Sequence, residues 1–427
     1  MNPVPVDAPI APTQQAAPVG RLNILSLSTV YPSPLEPGLG LFVRDRLAHM
    51  ARLENVKVIA PLPVIDYGLK RVLKRASIPH SCQEGPVEVL RPSWFYPPGG
   101  TPATPAALFL RLLGLVLRLR RRFPIDVIDA HFAHPEGVAA ALLSRALGCS
   151  FTITLRGSEP VFSQSRLRRE CIAWAVRRAS RIVAVSRPLA DFAVELGASR
   201  SRVAIIPNGI DTTTFHPRDR SECRTKHGIP ADGKLVLSAG ELIEAKGHHM
   251  VIQAVHNLAE RGITAQAIIA GGVGHGGRPY DRELRQLVAD LGLEGSVRFT
   301  GWLNRESLAE LAAAADVLCL ASYTEGWPNV VHEALACGTP VVASAVGSVP
   351  DLIPSERYGL VVPARNQDAL TNALCDALRR SWNRAEIASW GQARSWGHVA
   401  DEVVAVMRQA VQQASAAKSA RIEESRL

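Results

Sequence analysis

Short apolar segments rich in β-branched residues alternate with helical patterns along most of the chain, and the alternation runs through two consecutive series. The first series contains the predicted strands Leu22–Leu27, Val127–Ala130, Phe151–Leu155, Arg181–Val185 and Val203–Ile206. The second contains Leu235–Ala239, Ala265–Ala270, Val297–Thr300, Val317–Leu320, Val341–Ala343 and Leu360–Val362. Buried strands that alternate with helices are typical of βαβ units, whose strands form a parallel sheet. The sequence therefore predicts an α/β fold with two doubly wound domains.

The two series meet at a turn signal, Pro207-Asn208-Gly209, which predicts a domain boundary near residue 210. We expect a disordered tail at residues 1–20, an N-terminal domain at 21–206 and a C-terminal domain at 207–384. A helical segment at 385–427 is expected to pack back toward the N-terminal domain. Doubly wound sheets bind ligands at the carboxyl ends of their strands, so two facing sheets predict a crevice between the domains.

The 427 residues include seven scattered cysteines, none of which forms a C-x-x-C pair. Zinc sites and thioredoxin-like sites need such pairs, so neither class is indicated. Isolated thiols are typical of a reducing compartment. The N-terminus lacks the basic start and apolar centre of a signal peptide, and no run of about 18 uncharged apolar residues is present. We therefore expect a cytoplasmic protein without a spanning helix.

Charge is distributed unevenly between the two halves. Residues 1–206 carry 26 Lys and Arg against 14 Asp and Glu, whereas residues 207–427 carry 22 against 25. The basic half includes the arginine-rich apolar stretch Leu108–Arg122, which fits either a membrane-surface helix or a core-facing helix with a solvated basic end. The first alternative predicts peripheral contact with the inner face of the cytoplasmic membrane. Nucleic-acid binding is disfavoured, because no recognition motif or stacking aromatic residues accompany the charge.

The most specific motif spans Ser322 to Val342 and reads S-Y-T-E-G-W-P-N-V-V-H-E-A-L-A-C-G-T-P-V-V. A predicted strand ends at Leu320, and a loop with Glu325 then leads into a helix that carries Glu333. The amides at a helix start can hold a phosphate, and a carboxylate one turn further on can accept two vicinal hydroxyls. This spacing favours a nucleotide diphosphate sugar as the ligand.

This stretch resembles the signature of the retaining family 4 glycosyltransferases (glycosyl transferases group 1), and the resemblance extends from about Arg21 to Ala400. It implies a GT-B fold, in which two Rossmann-like domains face each other across a cleft, with the acceptor bound by the N-terminal domain and the nucleotide sugar by the C-terminal domain. It implies contact of Glu325 with the donor sugar and of Glu333 with the ribose. The neighbouring residues Gly326, Asn329 and Val330 are implied in donor binding, the last two through backbone contacts with the diphosphate.

A second motif, S-A-G-E-L-I-E-A-K-G from Ser238 to Gly247, follows a predicted strand. Lys246, near Gly240 at the mouth of the crevice, could meet the negative charge that develops on a departing diphosphate. The family usually has an arginine directly after this glycine, but here the position is Glu241. The resemblance therefore implies a replacement cation, for which Arg156 and Arg44 are the candidates.

Three further elements provide candidate site residues in the N-terminal half. His131 follows a predicted strand, is expected at the crevice edge, and matches a family histidine that contacts the donor sugar; His134 is a weaker candidate. Arg156 stands where many relatives have histidine, and an arginine would suit an anionic ligand. Gly38 and Gly40 allow a close backbone approach before a predicted helix at Leu41–Leu53, so they could face the donor phosphate.

The glycine-rich stretch Gly271–Gly277 contains a formal G-x-G-x-x-G, but no helix is predicted directly after it, so dinucleotide binding is not indicated. No Asp-x-Asp pair, the usual metal-binding pair of the other large class of sugar transferases, is present. We expect no metal and no cofactor besides the donor, with Lys246 and helix-start amides stabilising the leaving group.

Together with these observations, the resemblance implies a metal-independent retaining glycosyltransferase that moves a sugar from a nucleotide diphosphate sugar to a carbohydrate or lipid-linked acceptor. Cell-surface polysaccharide biosynthesis is the expected setting. Two alternatives stay open. One is a nucleotide-sugar epimerase or hydrolase on the same fold. The other, suggested by Glu241, is an inactive nucleotide-sugar-binding subunit.

Overall fold

The computed structural model describes residues 20–63, 78–95, 103–273 and 280–424, with side chains described to residue 420. The predicted tail before Gly20 and the end of the glycine-rich stretch, Gly274–Gly277, lie outside these residues. Within them the chain forms two large sheets, the first from the N-terminal half and the second from the C-terminal half. The predicted α/β fold with two doubly wound sheets is confirmed.

The first sheet has eight strands in the order β10-β9-β8-β7-β1-β2-β5-β4, and all neighbours are parallel except β4 and β5. A separate parallel pair, β3 and β6, lies nearby in the chain. Their bounds are β1 Asn23–Leu27, β2 Asn55–Ile59, β3 Leu62–Pro63, β4 Ser81–Glu84, β5 Val87–Leu90, β6 Ser93–Trp94, β7 Val127–His131, β8 Ser150–Leu155, β9 Arg181–Ala184 and β10 Val203–Ile205.

The second sheet has six parallel strands in the order β13-β12-β11-β14-β15-β16. Their bounds are β11 Lys234–Ala239, β12 Ala265–Ala270, β13 Val297–Gly301, β14 Val317–Leu320, β15 Val341–Ser344 and β16 Gly359–Val362. Every residue of β14 and β15 is buried. Helices cover both faces of such a sheet, so its central strands are mostly apolar instead of alternating regularly with polar residues.

The α-helices of the first half are Leu41–Leu53, Thr104–Arg120, Val138–Leu147, Glu159–Phe162, Arg166–Arg178 and Arg187–Glu195. Those of the second half are Arg220–Lys226, His248–Glu260, Tyr280–Asp290, Arg305–Ala314, Asn329–Ala336, Val349–Leu352, Gln367–Arg379, Arg384–Gln392 and Trp396–Glu424. Short turns of other helical types are Ala133–Gly137, Arg200–Arg202 and Glu244–Lys246.

The predicted C-terminal helical segment divides into two parts with different partners. The helix Arg384–Gln392 packs on the C-terminal half, where Gly391 lies against the backbone of Ala336. The chain then pairs with the linker, since the amide of Ile210 donates to the carbonyl of Arg394 at 2.9 Å. Only the helix Trp396–Glu424 packs on the N-terminal half. Its apolar residues Trp396, Val399, Val403 and Met407 share a core cluster with Val43, Leu47 and Met50.

The helix Thr104–Arg120 has both a core-facing side and an exposed side. Leu108, Leu112 and Val116 are fully buried, so part of this helix belongs to the core of the N-terminal half. On its opposite side Leu110 is 70% exposed and Leu117 is 46% exposed. Among the residues that the structure describes, no helix has the length and apolar character needed to cross a membrane.

Candidate functional site

A cavity of about 470 Å³ lies between the two halves, at the carboxyl ends of both sheets. In the second sheet it lies beyond β11 and β14, which are neighbours although β12 and β13 come between them in sequence. This is the topological switch point, where two adjacent loops leave in opposite directions and open a crevice. The corresponding point of the first sheet is at β1 and β7.

Most of the predicted site residues line this one cavity. They are Gly38 and Arg156 from the N-terminal half, and Gly240, Lys246, Glu325, Gly326, Asn329, Val330 and Glu333 from the C-terminal half. Residues that the sequence did not single out also line it, among them Phe42, Asp45, Asn208, Asp211, Trp302 and Arg305. His131 and Gly40 are not among the lining residues.

Lys246 and Glu325 form an ion pair in the cavity, with 2.7 Å between Nζ and Oε1. Lys246 ends the short turn after β11, whereas Glu325 lies in the loop after β14. The same loop continues into the helix Asn329–Ala336, whose first residues, Asn329 and Val330, line the cavity. The structure thus places a cation, a carboxylate and a helix N-terminus at one end of the crevice. Such a set can bind an anion beside a polyhydroxyl group.

Glu333 lies one turn into that helix, close to a charged cluster. Burial raises the pKa of Glu333 to about 7; Arg305 acts to lower it, whereas Asp45 and Asp211 act to raise it. The guanidinium of Arg305 lies 2.7 Å from Asp45 and 3.4 Å from Asp211. Because Asp45 belongs to the N-terminal half, this ion pair also joins the two halves. Ionised Glu333, which predominates above about pH 7, can accept two hydroxyl hydrogen bonds.

Arg156 lies almost fully buried at the floor of the cavity. It is linked to the C-terminal half by hydrogen bonds through the side-chain amides of two asparagines. Its guanidinium donates to Oδ1 of Asn208 at 3.2 Å, and Nδ2 of Asn208 donates to Oδ1 of Asn329 at 3.0 Å. A Cβ on Gly326 would lie 2.0 Å from the carbonyl oxygen of Arg156. Only glycine permits this approach, so the two backbones touch beside Glu325.

The expected position of His131 at the crevice edge is wrong. Its ring is completely buried behind Arg156, which donates to Nδ1 at 3.0 Å. The other ring nitrogen, Nε2, lies 3.0 Å from Oδ2 of Asp129. Burial, together with Arg46, lowers the pKa of His131 to about 3, so the ring is neutral. In this conformation His131 supports Arg156 and does not face the cavity.

Two other expectations also need correction. The close approach at Gly40 is internal, because a Cβ there would lie 2.3 Å from the carbonyl oxygen of Val30. With φ of 69°, Gly40 caps the helix Leu41–Leu53 in place of facing a ligand. Arg44, one of the two candidate replacement cations, pairs with Asp45 at 3.1 Å and lines a different cavity. Of these two candidates, Arg156 alone lines the main cavity.

The weaker candidate, His134, is also buried and lies outside the lining of the main cavity. The buried charged group beneath Arg156 was not predicted from the sequence, although the spacing of two of its residues gave a signal for it. Asp129 and His131 are two residues apart in β7, so their side chains lie on the same face of the strand. Arg305 had no comparable signal, since its partners Asp45 and Asp211 come from distant parts of the chain.

Two family models match successive parts of the chain and meet near the domain boundary. The model for glycosyl transferases group 1 matches residues 219–394, and the model for glycosyltransferase family 4 matches residues 38–214. The Bacillus subtilis protein assigned to teichuronic acid biosynthesis as glycosyltransferase TuaC is 30% identical over 372 residues, which are 84% of this chain and 89% of that protein. A D-inositol 3-phosphate glycosyltransferase of Mycobacteroides abscessus is 32% identical over 240 residues, or 55% of this chain and 53% of that protein.

Solved structures share the fold at lower sequence identity. Anabaena Alr3699/HepE in complex with UDP has a TM-score of 0.68 and 24% identity, covering 92% of this chain and 100% of that chain. The lipopolysaccharide outer core galactosyltransferase WaaB has a TM-score of 0.62 and 15% identity, covering 90% and 98%. The two family models, with a relative matched over most of its length, show that the chain belongs to glycosyltransferase family 4 (glycosyl transferases group 1) and is a glycosyltransferase with the GT-B fold.

Proposed function

We propose that this enzyme transfers a sugar, with retention of anomeric configuration, from a nucleotide diphosphate sugar to a carbohydrate or lipid-linked acceptor during cell-surface polysaccharide assembly. The observation that carries the proposal is the Lys246–Glu325 ion pair beside the start of the helix Asn329–Ala336. The likeness to TuaC and the solved HepE complexes with UDP and with UDP-glucose support it.

In the proposed complex the diphosphate lies between Lys246 and the helix-start amides of Asn329 and Val330, near Gly240. Glu325 contacts hydroxyls of the sugar, and Glu333 accepts the ribose hydroxyls. Lys246 and the helix-start amides are held in place before the nucleotide sugar binds. They can therefore stabilise the negative charge that develops on the diphosphate without rearranging. The N-terminal half presents the acceptor across the cleft.

The chemical step that fits this arrangement is a same-face displacement. The bond between the anomeric carbon and the diphosphate oxygen breaks, and its electron pair stays on that oxygen. The acceptor hydroxyl attacks the same face of the sugar and transfers its proton to the departing diphosphate oxygen. Lys246 stabilises the charge that develops there, and Glu325 keeps the sugar in position. We propose that this stabilisation needs no metal.

A combined binding and turnover experiment tests the proposal. Nucleotide sugars with uracil, guanine and adenine bases are expected to include at least one that raises the melting temperature, because a ligand of the folded state stabilises it. The same donor should then be consumed only when a glycan or lipid-linked acceptor is present. Free sugar or an epimer formed without acceptor would instead indicate a hydrolase or epimerase. Binding without turnover on any acceptor would indicate an inactive subunit.

We also propose that the exposed side of the helix Thr104–Arg120 contacts the inner membrane face. Leu110 and Leu117 are seven residues apart and so lie on one face, beside Arg111 and Arg118. Exposed apolar side chains flanked by arginines suit an anionic lipid surface.

Flotation with anionic vesicles should show binding that weakens in about 0.5 M salt, where charges are screened within a few ångströms. The double variant Leu110→Ser/Leu117→Ser is expected to float several-fold less than the wild-type protein. Val194→Ser serves as the control, because Val194 is also exposed but belongs to another helix. Absence of flotation at low salt, or equal flotation of all three proteins, would exclude this membrane contact.

A further inference from the structure

The cavity contains more acidic than basic groups, although the proposed ligand is an anion. Its lining includes five carboxylates, Asp45, Asp211, Glu241, Glu325 and Glu333, and three cations, Arg156, Lys246 and Arg305. Two of these cations are paired, Lys246 with Glu325 and Arg305 with Asp45 and Asp211. Within the described part of the chain, Arg156 has no carboxylate oxygen within 4.0 Å of its guanidinium. It is thus the lining cation whose charge is left for a ligand.

The partners of the Arg156 guanidinium are neutral groups. It donates to His131 and Asn208, lies 4.9 Å from the ring centre of Phe42, and has no hydrogen-bond partner for Nε. The side chain is only 8% exposed, and burial lowers its pKa well below the ordinary value. A buried cation in such surroundings is costly unless an anion joins it.

The two carboxylates whose charge acts on Arg156, Asp129 and Glu159, are already engaged with other donors. Asp129 accepts from Arg46 at 2.6 Å and lies against His131. Glu159 accepts from the backbone amides of Ala133, Arg156 and Gly157. Neither carboxylate can turn to the guanidinium without abandoning its own donors, so the protein itself does not supply the missing anion.

We propose that Arg156 binds an oxyanion of the nucleotide-sugar donor and replaces, from across the cleft, the cation absent at Glu241. The inference rests on the proposed function. The oxyanion could belong to the diphosphate, because Arg156 reaches the helix-start residue Asn329 through Asn208. It could also be a carboxylate on the sugar, because the Arg156 backbone touches Gly326 beside Glu325. In both cases the donor is held by cations from both halves.

Isothermal titration with UDP, UDP-glucose and UDP-glucuronate tests this role, with the guanine and adenine series used if uracil nucleotides do not bind. Arg156→Gln is expected to weaken binding by about 10- to 100-fold, as for loss of a charge-assisted hydrogen-bonded pair. Arg156→Lys should lose less, because lysine keeps the charge but not the planar fork. Arg44→Gln is the matched control: it removes the same charge from a side chain that lines another cavity, and its affinities should stay within about twofold of wild type.

The pattern across ligands identifies the source of the oxyanion. Equal losses for all three ligands support a diphosphate contact, and a loss confined to UDP-glucuronate supports a sugar carboxylate. Unchanged affinities in folded Arg156→Gln would overturn the proposal. If that variant does not fold, Arg156→Lys decides, with a loss of about threefold or more in support and unchanged binding against. Failure of the wild-type protein to bind any nucleotide would refute the proposed function itself, and with it this role.

Discussion

Replacing Lys246 by alanine is expected to abolish transfer in a standard assay, with kcat reduced by about 10²–10³-fold and the fold intact. Lys246 is the lining cation of the C-terminal half that lies beside the helix start, and removal of one preorganised donor to developing charge has effects of this size. Because its side chain is partly exposed and its partner lies in a solvent-accessible cleft, the substitution leaves no deeply buried charge. Initial rates at saturating donor, alongside melting temperatures, give the measurement.

Glu325→Ala should abolish transfer as well, since it removes the carboxylate proposed to hold the sugar. Lys246 and Glu325 contact each other, so their effects are not independent. The increase in activation free energy of the double variant is expected to be much smaller than the sum of the increases of the two single variants. Lys234→Ala is the matched control. Lys234 is the first residue of β11, the strand that precedes Lys246, and it is exposed at the end of that strand opposite the cavity. Full activity of either single site variant would refute the site assignment.

The fold could be predicted from sequence because its central strands are buried on both faces and are therefore mostly apolar. β14 shows this: it reads V-L-C-L, and its predicted bounds are the observed ones. The strands β2, β4 and β5 were not predicted. Lys57 interrupts the apolar pattern of β2, and Gln83 interrupts that of β4. In addition, β4 is the edge strand of the sheet, so one side of it has no neighbouring strand.

The candidate site was predictable to the extent that its residues follow strand ends. The loops after β11 and β14 must emerge at the same edge of a parallel sheet, so Lys246 and Glu325 could be placed together before the structure was known. The direction of the His131 side chain could not be predicted in the same way. It depends on Arg46, which lies 85 residues earlier in the chain, on the helix Leu41–Leu53, and occupies the interior beneath the cavity.

The largest expected effect on stability is at Asp129, beneath the floor of the cavity. Its carboxylate is completely buried and lies 2.6 Å from Arg46 and 3.0 Å from His131, while Thr152 donates to the other oxygen at 3.3 Å. Asp129→Ala would leave the Arg46 guanidinium buried without its counter-ion, which typically costs about 3–5 kcal/mol. For a domain of this size we expect the melting temperature to fall by about 10 °C.

The exposed pair of Asp191 and Arg200 provides a matched control in the same half of the chain. These side chains are 66% and 50% exposed, so Asp191→Ala should change the melting temperature by no more than about 1 °C. Comparable losses in the two variants would show that the buried carboxylate has no special role. Asp129→Asn keeps the shape and one acceptor, and should fall between Asp129→Ala and the wild-type protein.

The pH dependence of the melting temperature distinguishes the contribution of the Asp129 charge to stability from the contribution of its packing. Burial alone would raise the pKa of Asp129, but Arg46 and His131 together lower it well below its ordinary value. A carboxylate with a lowered pKa in the folded state contributes stability that is complete above its unfolded value of about 3.9 and is lost as the pH falls below it. The gap in melting temperature between wild type and Asp129→Asn should therefore be full at neutral pH and narrow below about pH 4. The amide of asparagine has the shape of the carboxylate and differs from it chiefly in charge. A difference in melting temperature that is equally large at neutral pH and below about pH 4 would therefore mean that the charge of Asp129 does not contribute. In that case the position of the Arg46 side chain, and with it the positions of His131 and Arg156, would not depend on the charge of Asp129.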